Sequence, residues 1–405
     1  MPIDGAGLRA DLEALARIGA TPDGGIDRRS FGDADLAARA WFDARARRAG
    51  LRTRVDAAGN HSAILGAGER TFLLGSHLDS VPNGGNFDGA LGVVAALHVL
   101  LAAQAAAVEL PVALEAIDFS DEEGTLVGLL GSWALTGTLT REALAAPRGG
   151  REELVAGLAR AGLREDALWD ARRDPASLRG YLELHIEQGP VLERAGAQIG
   201  VVTAIFGSRA FRLHFLGAAD HAGTTPMGER RDAGLAGAAF TVGANELVVR
   251  EFPGAVTTVG DLRLEPGAFN VIPGRASLAL EFRAADEGRL DRIEQALLDV
   301  ARGEAAARGV ELEVAPVGCW RATPLDAGCV DAVERAAERL GLRAMRIASG
   351  AGHDAQALAG ITPAGMVFVP SVGGVSHDPR ELTPWVDCVN GAEVLLGAAL
   401  ELAAG

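Results

Sequence analysis

The chain has 405 residues and a mass of 41.7 kDa, which is long enough for two or three domains. With 48% hydrophobic and 23% charged residues, its composition is globular and excludes a mainly disordered protein. The net charge of −16 excludes nucleic acid and anionic membranes as expected partners, and the absence of lysine excludes a Schiff-base or P-loop lysine.

Cysteine usage and hydropathy predict a cytoplasmic protein. The three cysteines (Cys319, Cys329 and Cys388) form no C-x-x-C pair, which is typical of reduced thiols that do not bind metal. The N-terminus has early acidic residues and no apolar segment, so we expect no signal peptide. The most apolar run, residues 91–108, contains His98 and Gln104 and favours a buried helix over a membrane span.

The first 119 residues predict helices and then alternating strands and helices. Two amphipathic helices precede a hairpin that turns at residues 57–60. Residues 70–75 and 111–119 are apolar strands, and residues 88–103 are a loop leading into a helix. This alternation is typical of a doubly wound α/β sheet, in which ligands bind beyond the carboxyl ends of the strands.

The alternating segment YLELHIE, residues 181–187, predicts a half-buried strand. Its even-numbered residues are apolar and would face the core. Glu183, His185 and Glu187 would form a polar edge on the other side.

Residues 209–317 predict a separate small domain. The order strand, helix, strand, strand, helix, strand matches a ferredoxin-like α+β unit. The α/β pattern resumes after Cys319. We therefore expect a catalytic domain in two parts, residues 1–207 and 319–405, interrupted by an inserted domain at residues 208–318.

Several polar motifs carry candidate chemistry. His77 and Asp79, two residues apart, would point the same way on an extended chain, so the carboxylate would orient the imidazole. Asp88 lies at the start of a predicted helix. Taken alone, this segment also fits an N-cap aspartate and a buried structural histidine.

A second motif, Asp121-Glu122-Glu123, follows an apolar strand. Buried together, these acids need a counter-charge such as a divalent cation, with one glutamate as a ligand and its neighbour handling protons. A solvated acidic loop is the alternative. His185 and His377, each structural if taken alone, complete a set of imidazoles and carboxylates that suits a two-metal hydrolase with Zn, Mn, Co or Ni.

The inserted domain carries a further polar group. His221 and Asn270 would polarise a carbonyl or hold an amide, and Arg283 would bind a substrate carboxylate with two hydrogen bonds. The alternative is an ordinary surface loop and surface arginine.

Seven motifs resemble those of the hydantoinase/carbamoylase amidases, within the aminoacylase and carboxypeptidase G-type metallopeptidase superfamily. They occur in the family's order over residues 60–390: GSHLDSVPNGGNFDGALGV, DFSDEEG, ELHIEQGPVLE, HAGTTPMGERRDA, FNVIPG, GAGHDA and GGVSHDP. One position departs from the family pattern. Relatives often carry arginine two residues after the glycine of the Glu-Glu-Gly motif, whereas this chain has Leu126 two residues after Gly124.

The resemblance implies a role for each matching residue. Five residues match the family's ligands of two divalent metal ions, and Asp88 matches the ligand that bridges both ions. The five are His77, Asp88, Glu123, His185 and His377. Glu122 matches the general base and acid, and Asp79 the residue that supports His77. The matching substrate-binding positions are Gln188, His221, Asn270 and Arg283. The inserted domain is expected to act as a lid and to form a homodimer.

The function that the resemblance implies is hydrolysis of the ureido C–N bond of N-carbamoyl-L-amino acids. Allantoate amidohydrolase is the next expectation, followed by β-ureidopropionase and an aminoacylase-like peptidase. A non-catalytic binding protein would have damaged ligands or a replaced base, whereas every candidate ligand and Glu122 are present. A structural assembly protein would leave the buried acids unexplained.

Overall fold

A computed structural model describes residues 2–405. The chain forms two compact units. The first comprises the chain up to Thr203 together with Leu325–Ile347 and Ala351–Gly405, and the second comprises Ala204–Pro324 and Ala348–Gly350.

Thirteen strands, twelve α-helices and four short 3-10 helices form the secondary structure of the residues that the structure describes. The strands are β1 (Arg52–Val55), β2 (His61–Leu65), β3 (Thr71–His77), β4 (Ala113–Phe119), β5 (Leu178–Ile186), β6 (Ile199–Ile205), β7 (Gly207–Leu216), β8 (Val256–Glu265), β9 (Arg275–Ala284), β10 (Glu311–Trp320), β11 (Thr323–Pro324), β12 (Ala344–Ser349) and β13 (Ala364–Val369). The helices are α1 (Gly5–Leu15), α2 (Asp33–Arg48), α3 (Ala90–Ala105), α4 (Leu130–Thr136), α5 (Arg141–Ala145), α6 (Arg151–Arg160), α7 (Val191–Ala195), α8 (Ala233–Glu251), α9 (Glu287–Ala307), α10 (Ala327–Arg339), α11 (Asp354–Leu358) and α12 (Trp385–Ala404).

A mixed nine-stranded sheet is the core of the first unit. Its order is β1-β2-β4-β3-β5-β13-β6-β11, with β12 also paired to β6. The four central strands, β4, β3, β5 and β13, are mutually parallel, and β1 and β2 form the antiparallel hairpin predicted from the sequence. The predicted α/β class is confirmed. Parallel neighbours bring their carboxyl ends to one edge of the sheet, where ligands bind in such folds.

Helix α3 packs unusually close to this sheet because it carries Gly92 at the contact. A Cβ on Gly92 would lie 2.3 Å from the carbonyl oxygen of Leu184 in β5 and 2.7 Å from Cβ of Ser76 in β3. Only a residue without a side chain fits such an approach. The helix start is thereby fixed against the ends of two central strands.

The prediction of a half-buried β5 with a polar edge was wrong. The strand lies between β3 and β13, and both its faces are covered. Glu183 and His185 are as buried as Leu182 and Leu184. Central parallel strands normally present apolar residues on both faces, so these two polar side chains require partners inside the protein.

The second unit contains a four-stranded antiparallel sheet of order β10-β7-β9-β8. Numbered within the unit, this order is 4-1-3-2, and the connections run β-α-β-β-α-β, as in a ferredoxin-like fold. Alternate residues of β9, such as Leu278, Leu280 and Phe282, pack with α8 and α9 in one apolar cluster. The sequence placed the borders of this unit at residues 208 and 318, and the compact unit spans Ala204–Pro324.

Among the described residues, none of the helices combines the length and apolar character that crossing a bilayer requires. The apolar run at residues 91–108 instead forms α3 and the turn after it, and His98 within it hydrogen-bonds to Asp11 at 2.9 Å.

Candidate metal centre

The carboxyl ends of three central strands supply most of the predicted site residues. His77 is the last residue of β3, Glu122 and Glu123 follow β4, and His185 is the penultimate residue of β5. Asp88 lies two residues before α3. The alternative role of Asp88 as an N-cap is wrong, because the N-cap is Gly89 and the helix start has no side-chain cap.

Asp88 is the centre of the cluster, and its two oxygens face different histidines. Oδ1 lies 3.1 Å from Nε2 of His185 and 3.8 Å from Nε2 of His77. Oδ2 lies 3.3 Å from Nε2 of His377, which is itself 3.6 Å from Oε2 of Glu123. Two groups of potential metal ligands therefore share one carboxylate: His77, Asp88 and His185 form the first, and Asp88, Glu123 and His377 the second.

Backbone carbonyls orient the two buried imidazoles. Nδ1 of His77 lies 3.0 Å from the carbonyl oxygen of Asp79, and Nδ1 of His185 lies 2.9 Å from that of Ile186. A proton on each Nδ1 leaves the Nε2 lone pairs facing Asp88. The Gly89 N–H, 3.3 Å from Nε2 of His185, also points at a lone pair there.

The ionisable histidines and glutamates of the site would be stabilised by a bound cation. Burial lowers the pKa of His77 to about 4, so this imidazole stays neutral as a metal ligand must. Burial also opposes a charge on His185, but the hydrogen bond with Asp88 outweighs it and raises the pKa of His185 to about 9. A cation held by Nε2 and Asp88 would replace the proton that forms this hydrogen bond, and it would leave the imidazole neutral. The pKa values of Glu122 and Glu123 are raised well above the usual range by burial first and by neighbouring carboxylates second.

A divalent cation fits this set of residues. Oε1 of Glu123 is buried and has no hydrogen-bond partner among the described residues. Buried carboxylates without partners are costly, and a cation would satisfy several of them at once. Mixed imidazole and carboxylate ligands suit Zn, Mn, Co or Ni better than Ca or Mg.

Asp79 supports the site in a different way from the one predicted. Its backbone carbonyl contacts His77, whereas its carboxylate oxygen Oδ1 is 3.7 Å from the imidazole. The carboxylate instead accepts the backbone N–H groups of Glu122 and Glu123, both at 3.2 Å, and the hydroxyl of Ser30 at 2.8 Å. Asp79 thus fixes the segment that presents both glutamates.

Glu122 and Gln188 also lie within the cluster. Oε2 of Glu122 is 3.5 Å from Nε2 of His77. Nε2 of Gln188 donates to Oδ2 of Asp88 at 2.7 Å, and its backbone adopts a left-handed φ of 58°. The predicted metal ligands, Glu122, Asp79 and Gln188 therefore converge in the first unit.

Leu126, where relatives often carry arginine, belongs to a separate apolar cluster. It is fully buried in an apolar cluster with Leu130 and Leu154. The guanidinium of Arg148 packs on the same loop, 2.7 Å from where a Cβ on Gly124 would stand. Asp121 shapes the loop by accepting three backbone N–H groups, those of residues 126–128.

His221, Asn270 and Arg283 lie in the second unit. Nδ1 of His221 accepts the N–H groups of Gly223 and Thr224 at 3.0 and 3.2 Å, so the proton of the neutral ring is on Nε2. The carbonyl oxygen of Asn270 accepts the N–H of Ala222, which joins the two loops. Arg283, on β9, contacts Glu281 at 2.6 Å and the Gly350 carbonyl oxygen at 3.2 Å.

Sequence reasoning missed three residues around the cluster, the buried Glu381 and Glu183 and the half-buried Ser376. Glu381 accepts the N–H groups of Phe87 and Asp88, and Ser376 contacts Asp88. Glu183 accepts from the hydroxyls of Ser76 and Tyr181. An acid inside an apolar strand was a signal for Glu183, whereas nothing in the exposed-looking segment around Glu381 signalled burial.

Imidazoles and carboxylates gathered at the carboxyl edge of an α/β sheet are the arrangement that a metal-dependent hydrolase requires. The family model described as Peptidase family M20/M25/M40 matches residues 73–401, and the chain belongs to this family.

The sequence similarity to individual relatives extends over nearly the whole chain. An N-carbamoyl-L-amino acid amidohydrolase of Geobacillus stearothermophilus is 40% identical, with 100% of each chain covered. An allantoate amidohydrolase of Bacillus subtilis is 34% identical over 92% of this chain and 91% of its own length. The crystal structure of a hydantoinase/carbamoylase family amidase from Burkholderia ambifaria matches with a TM-score of 0.90 and 38% identity, covering 99% and 98% of the chains. The protein is accordingly a hydrolase of amide C–N bonds.

Proposed function

We propose that this protein hydrolyses the ureido C–N bond of N-carbamoyl-L-amino acids, releasing ammonia, carbon dioxide and the amino acid. The observation that carries the proposal is the double ligand cluster centred on Asp88, with Glu122 beside it. The 40% identity to a relative of that name over its whole length supports the substrate class.

The residues divide between two divalent cations, zinc or manganese, cobalt or nickel. His77, His185 and Oδ1 of Asp88 would hold one, and Glu123, His377 and Oδ2 of Asp88 the other. Bound cations of this kind lower the pKa of water and polarise a carbonyl oxygen. Glu123, with its unpartnered buried oxygen, is the residue most in need of the second cation.

Glu122 is the general base and then the general acid. It would accept a proton from the attacking water at its carboxylate and pass that proton to the leaving nitrogen. Asp79 supports this role because it fixes the Glu122 backbone N–H at 3.2 Å. The backbone of Glu122 is therefore fixed by Asp79, and its carboxylate is left to exchange the proton.

The remaining predicted residues would bind the substrate. Gln188 lies next to Asp88 and would contact the ureido group. His221 has its Nε2–H available to donate to a carbonyl oxygen that develops charge, a contribution of about 2.7–4 kcal/mol for one donor. Asn270 and Arg283 would anchor the carboxylate end, with the second unit closing as a lid.

We further propose that the protein is a cytoplasmic homodimer formed through the second unit. Leu235, Val242 and Val249 are spaced seven residues apart on α8 and are 52%, 59% and 72% exposed. The edge strand β8 also exposes Val256, and exposed apolar residues grouped in this way are typical of an interface. All three cysteines are free, as expected in a reducing compartment.

A substrate panel tests the proposed function. Purified protein loaded with zinc, manganese or cobalt is assayed for ammonia release from N-carbamoyl-L-amino acids, allantoate and N-carbamoyl-β-alanine. We expect the highest kcat/KM with an N-carbamoyl-L-amino acid. Preference for allantoate would assign the protein to the function of its 34% identical relative instead. No ammonia from any of the compounds would overturn the ureido proposal.

A further inference from the structure

Glu381 joins two parts of the candidate metal centre that are almost 300 residues apart in the chain. It is 3% exposed, and its Oε1 accepts the backbone N–H of Phe87 at 2.8 Å and that of Asp88 at 3.0 Å. The carboxylate therefore holds the backbone of the residue that would bridge the two cations.

The other oxygen of Glu381 reaches the loop that carries His377. The hydroxyl of Ser376 lies 2.8 Å from Oε2 of Glu381 and 3.0 Å from Oδ2 of Asp88. A hydroxyl has one hydrogen and can donate to only one of the two carboxylates at a time. If a cation takes Oδ2 of Asp88, the hydrogen is free to stay with Glu381.

His377 needs external support for its position. Its φ of 56° is left-handed, which is unfavourable for a residue with a side chain and persists only where surrounding contacts impose it. Its side chain is 49% exposed, so packing does little to restrain it. The preceding Ser376 and the hydrogen bond from the Glu381 N–H to the Asp378 carbonyl oxygen, at 2.9 Å, close the turn around it.

The seat of the Glu381 side chain is tightly shaped. A Cβ on Gly85 would lie 2.1 Å from Cδ of Glu381, so a glycine is required there for the carboxylate to reach Phe87 and Asp88. The position of Glu381 is thus set by backbone on one side and by Ser376 on the other.

We propose that Glu381 is a positioning residue of the metal centre, which sets the relative placement of Asp88 and His377 through Ser376. The inference rests on the proposed metal-dependent function, but it concerns cation affinity rather than the substrate. Outer hydrogen bonds of this kind typically account for 10–100-fold in metal affinity.

The test measures Zn²⁺ affinity by competition with a chromophoric chelator for wild type, Glu381→Ala, Glu381→Gln and Ser376→Ala. We expect 10–100-fold weaker binding of the second equivalent in Glu381→Ala. Partial rescue is expected in Glu381→Gln, whose amide oxygen can still accept the two N–H groups. The visible spectrum of bound Co²⁺ should change in the same order, because it reports ligand geometry and not fold stability.

Glu193→Gln is the matched control. Glu193 also accepts a backbone N–H from this loop, that of Gly373 at 2.9 Å, but among the described residues it does not hydrogen-bond to Asp88 or Ser376. Its Zn²⁺ affinity should equal that of wild type. In the double variant Glu381→Gln with Ser376→Ala, we expect a loss no greater than the larger single loss, because both act through one connection.

Wild-type Zn²⁺ affinity and an unchanged Co²⁺ spectrum in Glu381→Ala would overturn the proposal. Additive losses in the double variant, or loss of folded structure in every Glu381 variant, would also overturn it by showing separate or purely structural roles. A wild-type protein that binds zinc in a Glu381-dependent manner but hydrolyses no ureido compound would refute the proposed function and leave this inference standing.

Discussion

Glu122 and Glu123 are neighbours in the chain but have different surroundings. Oε2 of Glu123 is 3.6 Å from His377, and Oε2 of Glu122 is 3.5 Å from His77. Both are held by the same Asp79 carboxylate through their backbone N–H groups. Adjacent acids can therefore divide the work between binding a cation and moving a proton.

Glu122→Gln should lower kcat by at least about 100-fold, since general acid–base groups contribute about 10²–10⁴-fold. Metal content should remain at the wild-type level because the amide is nearly the same size and no proposed ligand is lost. Ammonia release and elemental analysis of the same preparation measure the two quantities. Glu123→Gln is the contrasting variant and should lose metal. Near-normal turnover in Glu122→Gln would show that Glu122 is not the general base.

Arg39 neutralises a buried acidic group beneath the site. Its guanidinium is 3.0 Å from Asp35 and 3.1 Å from Asp118, and it also donates to the carbonyl oxygens of Gly59 and Phe119. Asp118 in turn accepts the N–H of Leu78, between His77 and Asp79. The arginine thus connects the ends of β3 and β4.

Arg39→Met should destabilise the protein by about 3–5 kcal/mol, because it leaves two buried carboxylates without their cation. Urea unfolding followed by circular dichroism measures the free energy. Arg335→Met, which removes an exposed pair with Glu401, should cost less than about 1 kcal/mol. Equal losses in the two variants would mean that burial does not decide the value of the Arg39 interactions.

At the scale of elements, alternation and motif order predicted most of the fold. The hairpin of β1 and β2, the strands before His77 and Asp121, and the β-α-β-β-α-β order of the second unit all follow from local periodicity. The burial of strand β5 on both faces did not follow from local periodicity, because the same alternating residues fit both a half-buried strand and a central one. Which neighbours cover a strand depends on residues far away in the chain, here β13.

The candidate site, like the fold, could be predicted from the sequence only in part. Residue types and strand ends predicted the convergence of His77, Asp88 and Glu123. The contacts of Glu381 and the carbonyl partner of His77 depend on backbone positions that sequence spacing does not contain. Residue chemistry suggested roles for His221 and Arg283 and the resemblance matched them to substrate-binding positions, but no contact within their own unit assigns those roles.

Gly92→Ala tests how closely α3 must approach the sheet. The added methyl would meet the Leu184 carbonyl oxygen and Ser76, so α3 or β5 must shift, at a cost of about 1–3 kcal/mol. Since Asp88 precedes α3 and His185 follows Leu184, Zn²⁺ affinity should fall as well. Denaturant unfolding and chelator competition measure the two effects.

Gly303→Ala is the matched control for this substitution. Gly303 lies in α9 of the second unit, and a Cβ there would meet nothing within 4 Å. This variant should stabilise the protein by about 0.5–1 kcal/mol through helix propensity, with unchanged Zn²⁺ affinity. Stabilisation in Gly92→Ala as well would show that the contact with Leu184 and Ser76 relaxes freely.

At the scale of the whole molecule, the two units differ in how they meet solvent. The first buries its sheet between helices, whereas the second exposes valines and a leucine in a row on α8 beside the unpaired edge of β8. Unpaired edges and apolar rows invite association, and proteins normally cover them. A second copy of this unit offers the same surface and would cover both in a symmetric pair.

Val242→Glu should convert the proposed dimer to a monomer, because the central valine of the row on α8 would place a charge in the apolar interface. Size-exclusion chromatography with light scattering measures the molar mass, expected to fall from about twice the 41.7 kDa chain mass to a single chain. Val155→Glu is the control, since Val155 is 50% exposed on α6 in the first unit and its variant should remain dimeric.

If residues of one copy serve the site of the other, the Val242→Glu monomer should also lose most of its ureido hydrolysis while keeping its bound metal. A wild-type protein that is already monomeric, or a Val242→Glu variant that remains dimeric, would place any association on a different surface.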